Sequence, residues 1–244
     1  MPRNFGSKKI KSKFTIHSSM GKIHLTEKIL AFLLTNYSYA SGIGLMHGKM
    51  GGVLFFFLYA HYTRNDIYEE YAEMLKEDIY YKINEEIPIS FETGLCGIGW
   101  GIEYLIQNKL ISGNSDEILM NIDQKIMEKG PLRIYDYSME NGLGGILLYV
   151  NARIKSYKRK MPFDLRYLTE LKTKIETLTT VDCLLNKNIN DFKNIMTGQI
   201  DYHTPVTLPD FLFGKIPEQI DKISNYPLGI HNGLTGFILK NMTR

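Results

Sequence analysis

Cysteine is scarce in this chain: Cys96 and Cys183 are the only two in 244 residues. Two are too few for a disulfide framework and fit a reducing compartment. Long apolar runs are missing as well. The strongly apolar stretch Val53-Leu54-Phe55-Phe56-Phe57-Leu58-Tyr59-Ala60 is closed by His61 and Arg64, far short of the ~20 residues that a membrane span requires. It reads as a buried helix. The basic start runs into Phe14-Thr15-Ile16-His17-Ser18-Ser19 with no apolar stretch behind it, which excludes a secretory signal and gives a cytoplasmic expectation. No phosphate loop, dinucleotide fingerprint or nucleophile elbow occurs. Acidic residues are absent before Glu27, whereas Arg3, Lys8, Lys9, Lys11, Lys13 and Lys22 precede it. Residues 1–20 therefore form a basic arm, read as a solvated tail and not as a nucleic-acid contact.

The rest has the composition of a globular protein, with 44% hydrophobic and 23% charged residues. Its length suits one packed domain, placed at 21–244. Internal repetition decides the fold. His47-Gly48-Lys49-Met50-Gly51-Gly52, Thr93-Gly94-Leu95-Cys96-Gly97-Ile98, Asn141-Gly142-Leu143-Gly144-Gly145-Ile146 and Asn232-Gly233-Leu234-Thr235-Gly236-Phe237 share a polar residue, Gly-x-x-Gly and an apolar run. The leading glycines stand at 48, 94, 142 and 233, so the first two intervals are 46 and 48 residues and the last is 91. The long interval places one degenerate repeat between Gly142 and Gly233.

An apolar stretch follows each motif, as with Trp100, Tyr104 and Leu105, and then a charged segment with helical spacing. Tyr71, Met74, Leu75, Asp78 and Ile79, like Ile118, Ile122 and Ile126, recur at three- and four-residue steps. Apolar helices must be enclosed and amphipathic ones can sit outside, which predicts an all-α, curved or closed double layer. The paired glycines would clear side chains where neighbouring backbones converge at the inner helix starts. Residues 22–39 read as a helix placed to pair with the last motif, which has only eight residues after Gly236.

Gly44-Leu45-Met46-His47-Gly48-Lys49-Met50-Gly51, Gly94-Leu95-Cys96-Gly97-Ile98-Gly99-Trp100-Gly101 and Gly142-Leu143-Gly144-Gly145-Ile146 resemble the glycine-rich signatures of lanthionine synthetase C-like (LanC-like) proteins. The resemblance covers residues 40–150 and returns at 229–240. It implies an α/α toroid, here shortened relative to the family's seven helix pairs. It also implies zinc-assisted addition of a peptide cysteine thiol to a dehydrated residue, with a ribosomally made peptide as partner. The family's zinc needs two cysteines and a histidine, one pair reading Cys-His-Gly. Here those positions read His231-Asn232-Gly233, so no zinc and no other cofactor is expected. His47-Gly48 resembles the His-Gly motif of the family's acid/base histidine, although there it belongs to a middle repeat.

Residues preceding each Gly-x-x-Gly should lie at one end of the helix layer. His47, Glu92, Glu140 and His231 are accordingly the candidate site residues, gathered at one mouth where helix N-termini favour negative charge. Thr93, Asn141 and Asn232 read as helix N-caps, and 204–210 as a loop over the mouth. Glu92 and Glu140 also form a carboxylate pair of the kind that carbohydrate-active α/α rings use. That leaves a noncatalytic or carbohydrate-active ring as the second class.

Overall fold

The computed structural model describes residues 24–84, 86–156, 161–179, 181–199 and 205–242. The basic arm, His17 and His203 lie outside them. The described residues form ten helices and no strand: α1 (24–36), α2 (Lys49–Thr63), α3 (Asp66–Lys82), α4 (Leu95–Gln107), α5 (Ser115–Ile118), α6 (Met120–Glu128), α7 (Leu143–Ser156), α8 (Leu165–Glu176), α9 (Cys183–Met196) and α10 (Leu234–Met242).

The apolar helices are the enclosed ones. In α2 every residue from Lys49 to Phe57 is buried, and α4 is buried along almost its whole length. Burying a side chain such as Phe55 or Leu54 contributes about 1.5–3 kcal/mol relative to leaving it in water. The second helix of each unit buries one face only: Ala72, Leu75 and Ile79 in α3, and Ile122, Asp123 and Ile126 in α6. Packing runs in the order α10, α2, α4, α7, α9, with α3 against α2 and α6 against α4. Two positions depart from the expected stripes. Met74 and Ile118 are about half exposed, Ile118 because the helix breaks at Leu119 between α5 and α6.

The four motifs share one local geometry. Lys49, Leu95, Leu143 and Leu234 each donate their N–H to the carbonyl seven residues earlier, at 2.8–2.9 Å, from Gly42, Pro88, Asp136 and Pro227. That bond satisfies a helix-start donor which would otherwise lack a partner. The second glycine then lies under the incoming chain. A Cβ at Gly51, Gly97, Gly145 or Gly236 would overlap the carbonyl oxygen of Leu45, Phe91, Met139 or Ile230, six residues back. The backbone that converges on the glycines is thus mainly their own approach segment, where a neighbouring repeat had been expected. Gly44, packed on the Cα of Thr93, and Gly229, packed on the Met46 carbonyl and the His47 Cα, are positions that meet the backbone of the next repeat.

The degenerate repeat begins at α9, which packs on α7 where the next enclosed helix belongs. It starts differently: the Asp182 carboxylate caps α9, accepting from Leu185 N–H at 2.7 Å. An acid cap replaces the glycine turn, which explains the missing motif. The first segment does meet the last. Tyr37, just beyond α1, joins its hydroxyl to the Thr235 hydroxyl on α10 at 2.8 Å.

Candidate active site at the repeat turns

Main-chain hydrogen bonds stitch the four turns side by side. His231 N–H donates to the Met46 carbonyl at 3.1 Å, Met46 N–H to that of Glu92 at 3.0 Å, and Phe91 and Glu92 N–H to that of Glu140 at 2.9 Å. Equivalent residues of successive repeats are therefore neighbours. This register aligns His231, Met46, Glu92 and Glu140, each two residues before its glycine, and His47 and Asn141, one residue further on, reach Glu92 diagonally to complete a row at the start of the buried helices.

Within the row, His47 Nε2 lies 3.0 Å from Glu92 Oε1, and both side chains are partly exposed, at 40% and 26%. The carboxylate beside Nε2 orients the imidazole and leaves Nδ1 as its second ring nitrogen. The other carboxylate oxygen accepts from Asn141 Nδ2 at 3.3 Å. Glu92 is thus held from both sides. The His231 ring stands edge-on to His47, centroids 5.5 Å apart. Its far edge rests on Gly214, whose φ of +60° and bare Cα let the chain pass where a side chain would strike the imidazole. His231 Nδ1 is buried without a hydrogen-bond partner among the described residues.

Glu140 contributes differently. Its carbonyl takes part in the stitching, but among the described residues its carboxylate makes no hydrogen bond or ion pair with the other three. Glu92 is the carboxylate tied to His47 and Asn141. The expected N-caps are also corrected. Gly48 and Gly94 occupy the N-cap positions of α2 and α4. Thr93 instead bonds Ser90 at 3.0 Å, Asn141 reaches Glu92, and Asn232 accepts from Lys215 N–H at 2.6 Å. The glycine turn already supplies acceptors to the first helix N–H groups, leaving these side chains free for other partners.

A family-type zinc site does not fit the cysteines present. Cys96 is fully enclosed in α4, and burial pushes its thiol up, away from the thiolate that a metal would bind. Cys183 is exposed at the start of α9. Among the described residues no three His, Cys, Asp or Glu side chains are grouped to hold a metal. His24 and His61 lie at the surface, as expected.

Two polar features were missed from sequence. The first is a buried ion cluster between α4, α5, α6 and α7. Arg153 lies 3.0 Å from Asp123, 3.3 Å from Glu103 and 3.1 Å from Asp116. Burial raises the Glu103 carboxyl and pushes that of Asp123 up to about 6, against the opposing pull of Arg153. Tyr149 donates its hydroxyl to Asp123 at 2.6 Å. The position of Arg153 on the largely apolar α7 was the available signal, but its partners come from three other helices.

The second is a cleft of about 520 Å3 between α4, α7, α9 and residues 205–211. The loop expected over the mouth lies along this cleft instead. Val206 is fixed to Gln107 and Asn108 at the far end of α4, and Phe211 reaches the ring of Phe91. No helix among the described residues is long and apolar enough to cross a membrane. No protein-family model, curated protein or solved structure matches the chain.

Proposed function

We propose that this chain is a zinc-less LanC-like protein, a shortened α/α toroid that acts in the cytoplasm on a ribosomally made peptide held at the mouth of its repeat turns. The observation that supports this reading most is the contact of His47 with Glu92, made between successive repeats and left partly open to solvent. A carboxylate beside one imidazole nitrogen orients the ring and leaves the other nitrogen to take a proton, the arrangement a general base requires. In this reading His47 takes the proton of a peptide cysteine thiol. The sulfur bonds to Cβ of a dehydroalanine, the electron pair moves to Cα, and the proton returns there to complete the thioether. Four helix starts nearby favour the negative charge that develops.

The test uses a synthetic peptide with one cysteine and one dehydroalanine, following thiol loss by alkylation and mass spectrometry against the uncatalysed rate. The expected outcome is acceleration that persists in chelator and falls at least tenfold in His47→Ala and Glu92→Gln. Peptide binding by fluorescence anisotropy with no acceleration would replace this reading by a noncatalytic binder. Absence of both would refute it.

A further inference from the structure

We propose that the cleft between α4, α7, α9 and residues 205–211 is a second site, which binds an extended apolar peptide segment through one of its amide groups. Two buried polar atoms carry the proposal. Trp100 is fully enclosed and Asn151 is 4% exposed. Both line the cleft, and the Trp100 indole N–H and the Asn151 carboxamide oxygen have no hydrogen-bond partner among the described residues. A donor and an acceptor withdrawn from water without compensation are each unfavourable, so such pairs in a cavity mark a complementary ligand group.

The complement is specific. The Asn151 Nδ2 donates to the Asn188 carbonyl at 2.9 Å, which turns the carboxamide so that its oxygen is the free atom. A ligand must then offer one acceptor to the indole and one donor to the carboxamide. A secondary amide carries both. Leu148, Leu184, Leu208 and Phe211 give the wall apolar patches among its polar groups. Lys155 and Lys187 are balanced by Asp191 and Asp210 in the same lining, so the cleft has no charge excess to select a phosphate or carboxylate.

Residues 205–211 add a main-chain edge. Val206 uses its N–H on Gln107 Oε1 at 3.2 Å and its carbonyl on Asn108 Nδ2 at 3.0 Å. Between Pro205 and Pro209, the N–H and carbonyl groups of Thr207 and Leu208 have no partner among the described residues. An extended peptide laid beside them gains main-chain hydrogen bonds while its apolar side chains enter the cleft. The His47 row is not part of this lining, so the site stands or falls independently of the reading above.

Trp100 is the only tryptophan, so the full-length 15N-labelled chain gives one indole N–H resonance to follow. The probe is the capped tetrapeptide acetyl-Ala-Leu-Ala-Leu-amide, with an analogue in which one backbone amide is replaced by an ester. Saturable movement of the indole resonance is expected with the tetrapeptide, at least fivefold weaker with the ester. Asn151→Leu should weaken binding at least tenfold. Because Asn151 also holds Asn188, Leu184→Glu, at a partly exposed position on α9, serves as a second variant and should weaken it similarly. His47→Ala should bind as the unaltered protein does. An indole resonance that stays fixed at millimolar tetrapeptide, or that shifts equally in the Leu184→Glu protein, would overturn the proposal.

Discussion

The repeat-turn row and the Arg153 cluster both bring carboxylates against a basic side chain, yet they occupy opposite environments. His47 and Glu92 sit partly open to water at helix starts, with one carboxylate and one imidazole in contact. Arg153 and Glu103 are 1% and 0% exposed, enclosed by helices on all sides. A cation surrounded by three acids in the interior holds structure, because removing it leaves buried charge uncompensated. An imidazole held on one nitrogen and accessible on the other is free to exchange protons. The difference is one of burial more than of residue type, and it separates a structural network from a candidate site.

The largest effect should come from the interior. Arg153→Met leaves Glu103 and Asp123 buried without their cation and is expected to cost about 3–5 kcal/mol in denaturant unfolding. A loss under about 1 kcal/mol would mean that the cluster does not organise α4, α6 and α7.

A smaller loss is expected in the repeat turns. Gly97→Ala drives a methyl group against the Phe91 carbonyl, and overpacking of this kind costs about 1–3 kcal/mol. Gly198, with φ of +75° and open space around it, is the matched control. Alanine there meets only the backbone penalty of about 1 kcal/mol. Equal melting temperatures for the two variants would contradict the shared turn geometry.

The pH dependence has a defined sign. The folded Asp123 carboxyl titrates at about 6, above its ordinary 3.8, so the native state binds the extra proton between those values. Its contribution is most favourable below about pH 4, is lost as pH rises through 6, and is constant above. The stability difference between the unaltered protein and Asp123→Asn, followed from pH 4 to 7, should show that trend. A flat difference would remove Asp123 as a titrating group.

The smallest stability effect belongs to the mouth. His47→Ala and Glu92→Gln are expected to change stability by only about 0.5 kcal/mol, the usual range for surface positions. Losses of several kcal/mol would make the row structural like the cluster.

Helix type and order were legible because glycine spacing and apolar periodicity are local properties of the chain. The approach of His47 to Glu92 was legible in part: the shared glycine motif sets the turns side by side, but His47 stands one residue before Gly48 and Glu92 two before Gly94, so their contact runs diagonally between turns. The role of Asn141 was not, since capping preference says nothing of a turn that brings its own acceptors, the Asp136 carbonyl among them. Arg153 was hidden in another way. Its partners at 103, 116 and 123 meet it only through packing between helices. Residues 205–211 lacked periodicity, and their course along the cleft follows from long-range contacts, the hydrogen bonds of Val206 and the Phe211–Phe91 ring contact.

The most direct measurement is a double-mutant cycle on His47→Ala and Glu92→Gln, read as the rate of peptide thiol consumption. If the two side chains act as one unit, each single variant loses most of the rate and the double variant loses little more. Independent, multiplying losses, or full activity in either single variant, would contradict a functional His47–Glu92 pair.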